Sequence, residues 1–181
     1  MKKFTLIQKI RNKIRIKGSV ELIIAKNAKI VHCDISIKGE NNKLVIAGGA
    51  TVRYTQIEIL GDNCIIEIGR NSIIGHGCYL SAKNGRKLFI GNECMLSRNV
   101  KIMTSDGHVI YQNGRVINAA KDIILEKNIW AADNVTILKG VTIGEGSILG
   151  INATVTQNIP AYSIAAGNPA KVVKEKILWK K

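Results

Sequence analysis

The sequence predicts an all-β parallel solenoid, with short strands wound into triangular coils stacked along one axis. Three observations carry this expectation. The 181 residues include 31 Ile but only 4% aromatic residues, which suits regular layers of β-branched side chains better than an irregular ring-filled core. Between residues 123 and 158 the chain divides without a break into the hexads IILEKN, IWAADN, VTILKG, VTIGEG, SILGIN and ATVTQN. Their third positions, Leu125, Ala131, Ile137, Ile143, Leu149 and Val155, are all apolar, and their sixth positions are always Asn or Gly, which enter a tight left-handed turn at little cost. Three hexads make a coil of roughly 18 residues with three strands and three corners. A jelly roll of unrelated strands would not keep six consecutive hexads in phase.

The elements follow in order. Residues 1–17, MKKFTLIQKIRNKIRIK, place Phe4, Ile7, Ile10 and Ile14 at helical spacing among seven Lys or Arg and no acid. They read as a basic amphipathic helix that either caps the first coil or lies on anionic lipid. One β-helix domain is expected over 18–170. Its first part, 44–52 and 57–68, keeps the composition of the repeat but loses its register, so irregular coils are expected there. The phase is clear at Ile68, Ile74 and Leu80 and again at Ile90, Leu96 and Ile102, and the gap from Leu80 to Ile90 leaves an outward loop around 83–86. After Met103 the repeat stops for TSDGHVIYQNGRVINAAK (104–121) and resumes at Ile123. A long excursion from a solenoid is a place for function. Residues 171–181 form a second basic segment, and short helices are expected at the termini.

Composition narrows the function. The formal charge of +14 sits at the two ends, since 18–170 holds 15 bases against 12 acids. Basic ends suit anionic partners such as phosphates or a lipid surface, while the lack of interleaved aromatic residues argues against nucleic acid. Cys33, Cys64, Cys78 and Cys94 form no CxxC pair and read as buried fillers in a reducing cytoplasm. His32, His76 and His108 are scattered, without the close pair that a three-histidine zinc enzyme of this architecture needs, so no metal is expected. No apolar run is long enough for a membrane span, and 1–17 lack a secretion signal, so the expected location is cytoplasmic, with the inner face of the membrane open through 1–17.

The IG-x4 hexads, followed by VTQNIPAYSIAAGNPAKVVK (155–174), resemble the hexapeptide-repeat acyltransferases, closest to the sugar and polysaccharide O-acetyltransferases related to galactoside acetyltransferase. The resemblance covers about residues 60–174 and rests most on AGNPAKVV. It implies a left-handed parallel β-helix, where the ordinary crossover rule would predict the opposite hand. It also implies a homotrimer that binds acetyl-CoA in grooves between neighbouring subunits. Asn168-Pro169 is expected to set a turn that closes the solenoid.

The excursion carries Asp106, His108, Tyr111, Arg115 and Asn118. A sugar hydroxyl is a poor nucleophile at neutral pH, whereas a thioester is already activated, so the chemistry needs a base such as a neutral imidazole. In the family a His on this loop takes the acceptor proton, and His108 matches it. Asp106 is the local candidate to orient that ring, or else to bind the sugar or cap the turn at Gly107. Asp106, Arg115 and Asn118 are the candidates for holding the acceptor. Trp130 matches the Trp that relatives place at the thioester, although Ala131-Ala132 depart from their W-I-G. By the same resemblance Asp133, Ile151, Thr156, Gln157, Lys171 and Lys174 are cofactor contacts, with Gln157 where many relatives have Lys. Lys171 and Lys174 supply charge for phosphates without the fork of an Arg. The expected function is acetyl transfer from acetyl-CoA to a sugar hydroxyl of a cell-surface polysaccharide or its precursor. N-acetylation of an amino sugar and a non-catalytic solenoid that binds a partner remain open.

Overall fold

The computed structural model describes residues 4–180. The chain winds into a three-faced column of stacked parallel coils. On face one the strands Lys29–Val31, Thr51–Arg53, Ile73–Ile74, Met95–Leu96, Trp130–Ala131, Ile148–Leu149 and Ile164–Ala166 pair in that order. Faces two and three are one sheet folded along an edge. The 13-residue strand Asp34–Ile46 belongs to both, pairing through its first half with Gln56–Leu60 and through its second with Ile65–Ile68. Three edges result: the first between faces one and two, the second between faces two and three, the third between faces three and one.

Register explains the core. Ile35, Ile57, Leu80, Ile102, Ile137 and Val155 stand above one another on face two, and each is fully buried. All six third positions of the hexads are fully buried as well. Of the sixth positions, Asn128, Asn134, Gly140, Gly146 and Asn152 adopt positive φ, the turn conformation for which Asn and Gly were read.

The first part is regular, not irregular. Its paired positions lie about 22 residues apart, 21 between Lys13 and Asp34, 22 between Ile35 and Ile57 and 23 between Ile57 and Leu80, whereas the later coils repeat every 18, as between Asn134 and Asn152. The loop expected around 83–86 is a short exposed turn over 84–86, and the other extra residues stay in the wall. They lengthen the strands Tyr79–Lys83 and Lys87–Ile90, with Ser81, Ala82 and Leu88 buried and Asn84-Gly85 making the turn. The early coils turn the second edge through Gly18, Gly39 and Gly61, at φ of 110°, 112° and 99°. A Cβ on Gly39 would lie 2.3 Å from the Gly61 carbonyl oxygen. The same period gathers the scattered histidines: His32 stacks on Tyr54 at 4.8 Å and Tyr54 on His76 at 4.3 Å along the first edge.

At the N-terminal end only Leu6–Arg11 is helical, opened by a capping box between Thr5 and Gln8. The helix docks on the first coil through Phe4, Gln8 and Asn12 rather than through an apolar stripe. Asn12 donates to the carbonyls of Gln8 (2.7 Å) and Ile30 (2.9 Å) and accepts from Cys33 N–H (2.8 Å), satisfying backbone groups that the coil end leaves open. Ile7 and Ile10 point outwards, 63% and 75% exposed, and Ile14 already lies in the strand Lys13–Ile24. The expected helical reading of residues 1–3 lies outside the described residues. At the other end no helix forms among the described residues: Lys171–Lys174 is a strand antiparallel to Ile164–Ala166, reached through a turn at Asn168-Pro169, and 175–180 run without regular structure. The four cysteines are buried and form no disulfide, and among the described residues no helix is long and apolar enough to cross a membrane.

Candidate functional site

The excursion leaves and returns at one point of the second edge. Thr104 is fully buried there; its Oγ1 accepts from Lys83 N–H (2.9 Å), and its carbonyl accepts from Lys121 N–H (3.0 Å), which closes the neck. Beyond the neck, Tyr111–Gln112 and Arg115–Val116 pair as a small hairpin. Asn113 and Gly114 make its turn, both at positive φ (50° and 73°), as a two-residue hairpin turn requires. The Asn-Gly pair in the sequence signals this hairpin, which reading the segment only as a loop overlooks.

One residue braces the loop. Asn118 Oδ1 accepts from Ile110 N–H (2.7 Å), while its amide nitrogen donates to the His108 carbonyl (2.7 Å) and to Asp106 Oδ2 (3.0 Å). These bonds engage both N–H groups and one lone pair of the Asn118 side chain in holding the loop. Asp106 Oδ2 also takes the Lys139 ammonium, from the corner of the next coil on the same edge. That hydrogen bond holds the Asp106 carboxyl below its ordinary value. Asp106 therefore anchors the loop to the column and does not touch the His108 ring. The His108 side chain is exposed and makes no hydrogen bond to another described residue. Arg115 is exposed on the hairpin without an ion-pair partner among the described residues.

Face one holds the second group. Trp130 is half-buried between Met95 and Ile148 in register, and its indole N–H donates to Ser97 Oγ at 3.3 Å. Asp133, at the next corner, is bound by Arg98 through Oδ1 to the backbone N–H (2.9 Å) and through Oδ2 to the guanidinium (2.6 Å), and the guanidinium holds its carboxyl low. Ile151 stands directly above it, 62% exposed. Thr156 and Gln157 lie exposed at the second edge, above the excursion, and Lys171 and Lys174 are exposed on the last strand. Among the described residues no three His, Cys, Asp or Glu side chains converge as a metal site.

No family model matches the chain. A polysialic acid O-acetyltransferase of Neisseria meningitidis is 36% identical over 167 residues, 91% of this chain and 77% of that protein. The chain belongs to the hexapeptide-repeat O-acetyltransferase family. A second polysialic acid O-acetyltransferase, of Escherichia coli O1:K1, is 34% identical over 158 residues; this chain spans 86% of its own length there but only 43% of that protein. The crystal structure of a polysialic acid O-acetyltransferase superposes with a TM-score of 0.83 at 31% identity, covering 94% of this chain and 88% of that one. The column is thus the left-handed β-helix of the O-acetyltransferases, and membership places the chain among acyltransferases rather than non-catalytic scaffolds.

In this acetyltransferase column the groups singled out from the sequence fall into two sets. His108, Thr156 and Gln157 lie along the second edge; Asp133 and Ile151 lie along the first, next to Trp130 on face one. One chain does not bring His108 and Trp130 together. Sequence reasoning also overlooks Lys139, Ser97 and Trp179. Lys139 occupies an ordinary outward position of its hexad, and its role appears only when the coil stacks it over Asp106, 33 residues away in sequence.

Proposed function

We propose that the chain transfers an acetyl group from acetyl-CoA to a hydroxyl of a cell-surface polysaccharide or its precursor, with His108 as general base. The observation that carries this reading is an imidazole left exposed on a loop that Asn118 and Lys139 hold in place, in a member of this family. The acceptor oxygen attacks the thioester carbonyl carbon while its proton passes to His108. The new C–O bond forms, the C–S bond breaks, and the proton returns to the departing thiolate to give free coenzyme A thiol. Attack is direct. No cysteine lies in the excursion, and burial pushes Cys78 up to about 11, so that it stays a poor nucleophile at neutral pH. The two relatives are named for acting on polysialic acid, a polyanion, and a chain of formal charge +14 suits an acidic acceptor of the same class. Arg115 is an exposed cation on the same excursion as His108.

The split between edges supports a homotrimer in which the excursion of one copy meets face one of the next. Val109, Ile110, Tyr111, Val116 and Ile117, all 49–66% exposed on the hairpin, support burial against a second copy. Exposed Leu6, Ile7 and Ile10 beside Lys9 and Arg11 support peripheral contact with anionic lipid at the cytoplasmic face, where the buried thiols would stay reduced. His108→Ala tests the mechanism. Release of coenzyme A thiol is expected to fall about 10²- to 10⁴-fold with unchanged melting temperature, and undiminished turnover would remove His108 from the reaction.

A further inference from the structure

Residues 175–180 turn back from the last strand and run down the third edge of the column. Ile177 N–H donates to the Tyr162 carbonyl (2.9 Å), and the Trp179 indole N–H donates to the Asn128 carbonyl (3.1 Å), 51 residues away in sequence. Between them Leu178 is 88% exposed. The segment is therefore tied to the outside of the column at two points and contributes no side chain to the core.

Its last tie is beside Trp130. The two indole rings lie 5.8 Å apart between centroids and 44° apart in plane, a tilted aromatic pair. Trp130 is held from opposite sides: Ser97, at the first edge, takes its N–H, and Trp179, anchored at the third edge, packs on its ring. The other hexads from 135 to 158 carry Thr or Ile at this outward position, side chains whose branching stiffens χ1. A Trp lacks that restriction, and one 3.3 Å bond on an otherwise open face leaves it room to swing.

We propose that Trp179 is a positioning residue for the acyl donor, the end of a strap that backs Trp130 and keeps its indole in the one orientation that receives the thioester. This rests on the reading of Trp130 as the thioester contact. An aromatic pair of this kind biases orientation by roughly three- to tenfold, and that is the expected effect on donor binding.

The chain has two tryptophans, so Trp179→Phe leaves Trp130 as its sole indole reporter. Titration of Trp179→Phe with acetyl-CoA is expected to change Trp130 emission, with an affinity within about twofold of the native chain, because Phe preserves a ring against Trp130. Trp179→Ala is expected to bind acetyl-CoA about three- to tenfold more weakly and to raise the KM for acetyl-CoA by the same factor. Its kcat and the acceptor KM should stay unchanged, and its melting temperature should equal that of Trp179→Phe. Equal donor affinity in the Ala and Phe variants would overturn the strap while leaving Trp130 in its role. Acetyl-CoA that raises the melting temperature of Trp179→Phe without altering Trp130 emission would instead overturn the reading of Trp130, and the strap with it.

Discussion

Replacing Asn118 by Ala removes three hydrogen bonds at once: from Ile110 N–H, to the His108 carbonyl and to Asp106 Oδ2. Each is worth about 0.5–1.5 kcal/mol net, and this brace is solvent-exposed, so the bottom of that range applies, about 0.5–0.7 kcal/mol each, and the sum is about 1.5–2 kcal/mol. That corresponds to roughly a 10- to 30-fold fall in the equilibrium constant for loop ordering. The neck survives, because Thr104 and Lys121 close it independently and Lys139 still holds Asp106. Hydrogen exchange at Ile110 and Ile117 reads the loop directly, since both amides are bonded within it. Their protection should drop about 10- to 30-fold while amides of the buried strands exchange as before. If His108 must be held at one place to accept the proton, kcat should fall by up to that factor, with no change in melting temperature because the loop stands outside the core. Faster exchange with unaltered kcat would show that loop order is irrelevant to turnover. A large fall in melting temperature would show that the brace supports the column itself, and the separation between loop and core would be wrong.

The remaining expectations address other parts of the molecule. Gly39→Ala places a Cβ 2.3 Å from the Gly61 carbonyl oxygen at a φ of 112°, where neither backbone nor neighbour can yield cheaply, and should lower stability by about 2–4 kcal/mol in urea unfolding; an unmoved midpoint would refute the stacked-glycine account of the second edge. Ile7→Glu with Ile10→Glu should abolish sedimentation with vesicles containing anionic lipid while sparing the fold, and a native chain that ignores such vesicles would confine the N-terminal helix to capping. Sedimentation equilibrium should return a mass near three times 19.8 kDa, and a stable monomer that turns over would sink the completion of the site by a neighbour.

What could be read in advance depended on the range of the interaction. The hexads are legible because each buried position repeats within a few residues, and the buried set from Leu125 to Val155 follows directly. The early coils obey the same rule with a longer period. There the added residues continue the strands and bury Ala82 and Leu88, which a template built on the shorter coil treats as lost register. The period of 22 is written in His32, Tyr54 and His76, whose rings meet only once coils of that length are stacked. The helix misled because its apolar spacing suggested one face and docking uses another: Gln8 and Asn12 are drawn inwards by open carbonyls at the coil end, a demand invisible in hydrophobic periodicity. At the candidate site, the break in the repeat marks the loop that carries His108. The partners of Asp106 could not, because Lys139 reaches it only through the stacking of coils.

The height of these groups along the column constrains how a complete site can form. The excursion begins after the strand Lys101–Met103 and ends before Ile123–Leu125, and the same coil then carries Trp130 and, at its next second-edge corner, Lys139. The nine residues from Lys121 to Ile129 include Ile123, Leu125 and Ile129, all fully buried, so the path from the loop's neck to Trp130 is part of the rigid core. The neck of the excursion and Trp130 therefore stand within about one strand spacing, 4.8 Å, of the same level, but on different sides of a packed column that cannot deform to join them. A neighbour related by rotation about a parallel axis presents its Trp130 at that same level with no axial shift. A staggered neighbour would miss by whole strand spacings. Closed rotational symmetry satisfies every loop in the assembly at once, whereas an open arrangement leaves one excursion without a donor site and one face without a base. If the proposed roles of His108 and Trp130 hold, joining the two groups favours a closed ring over a filament.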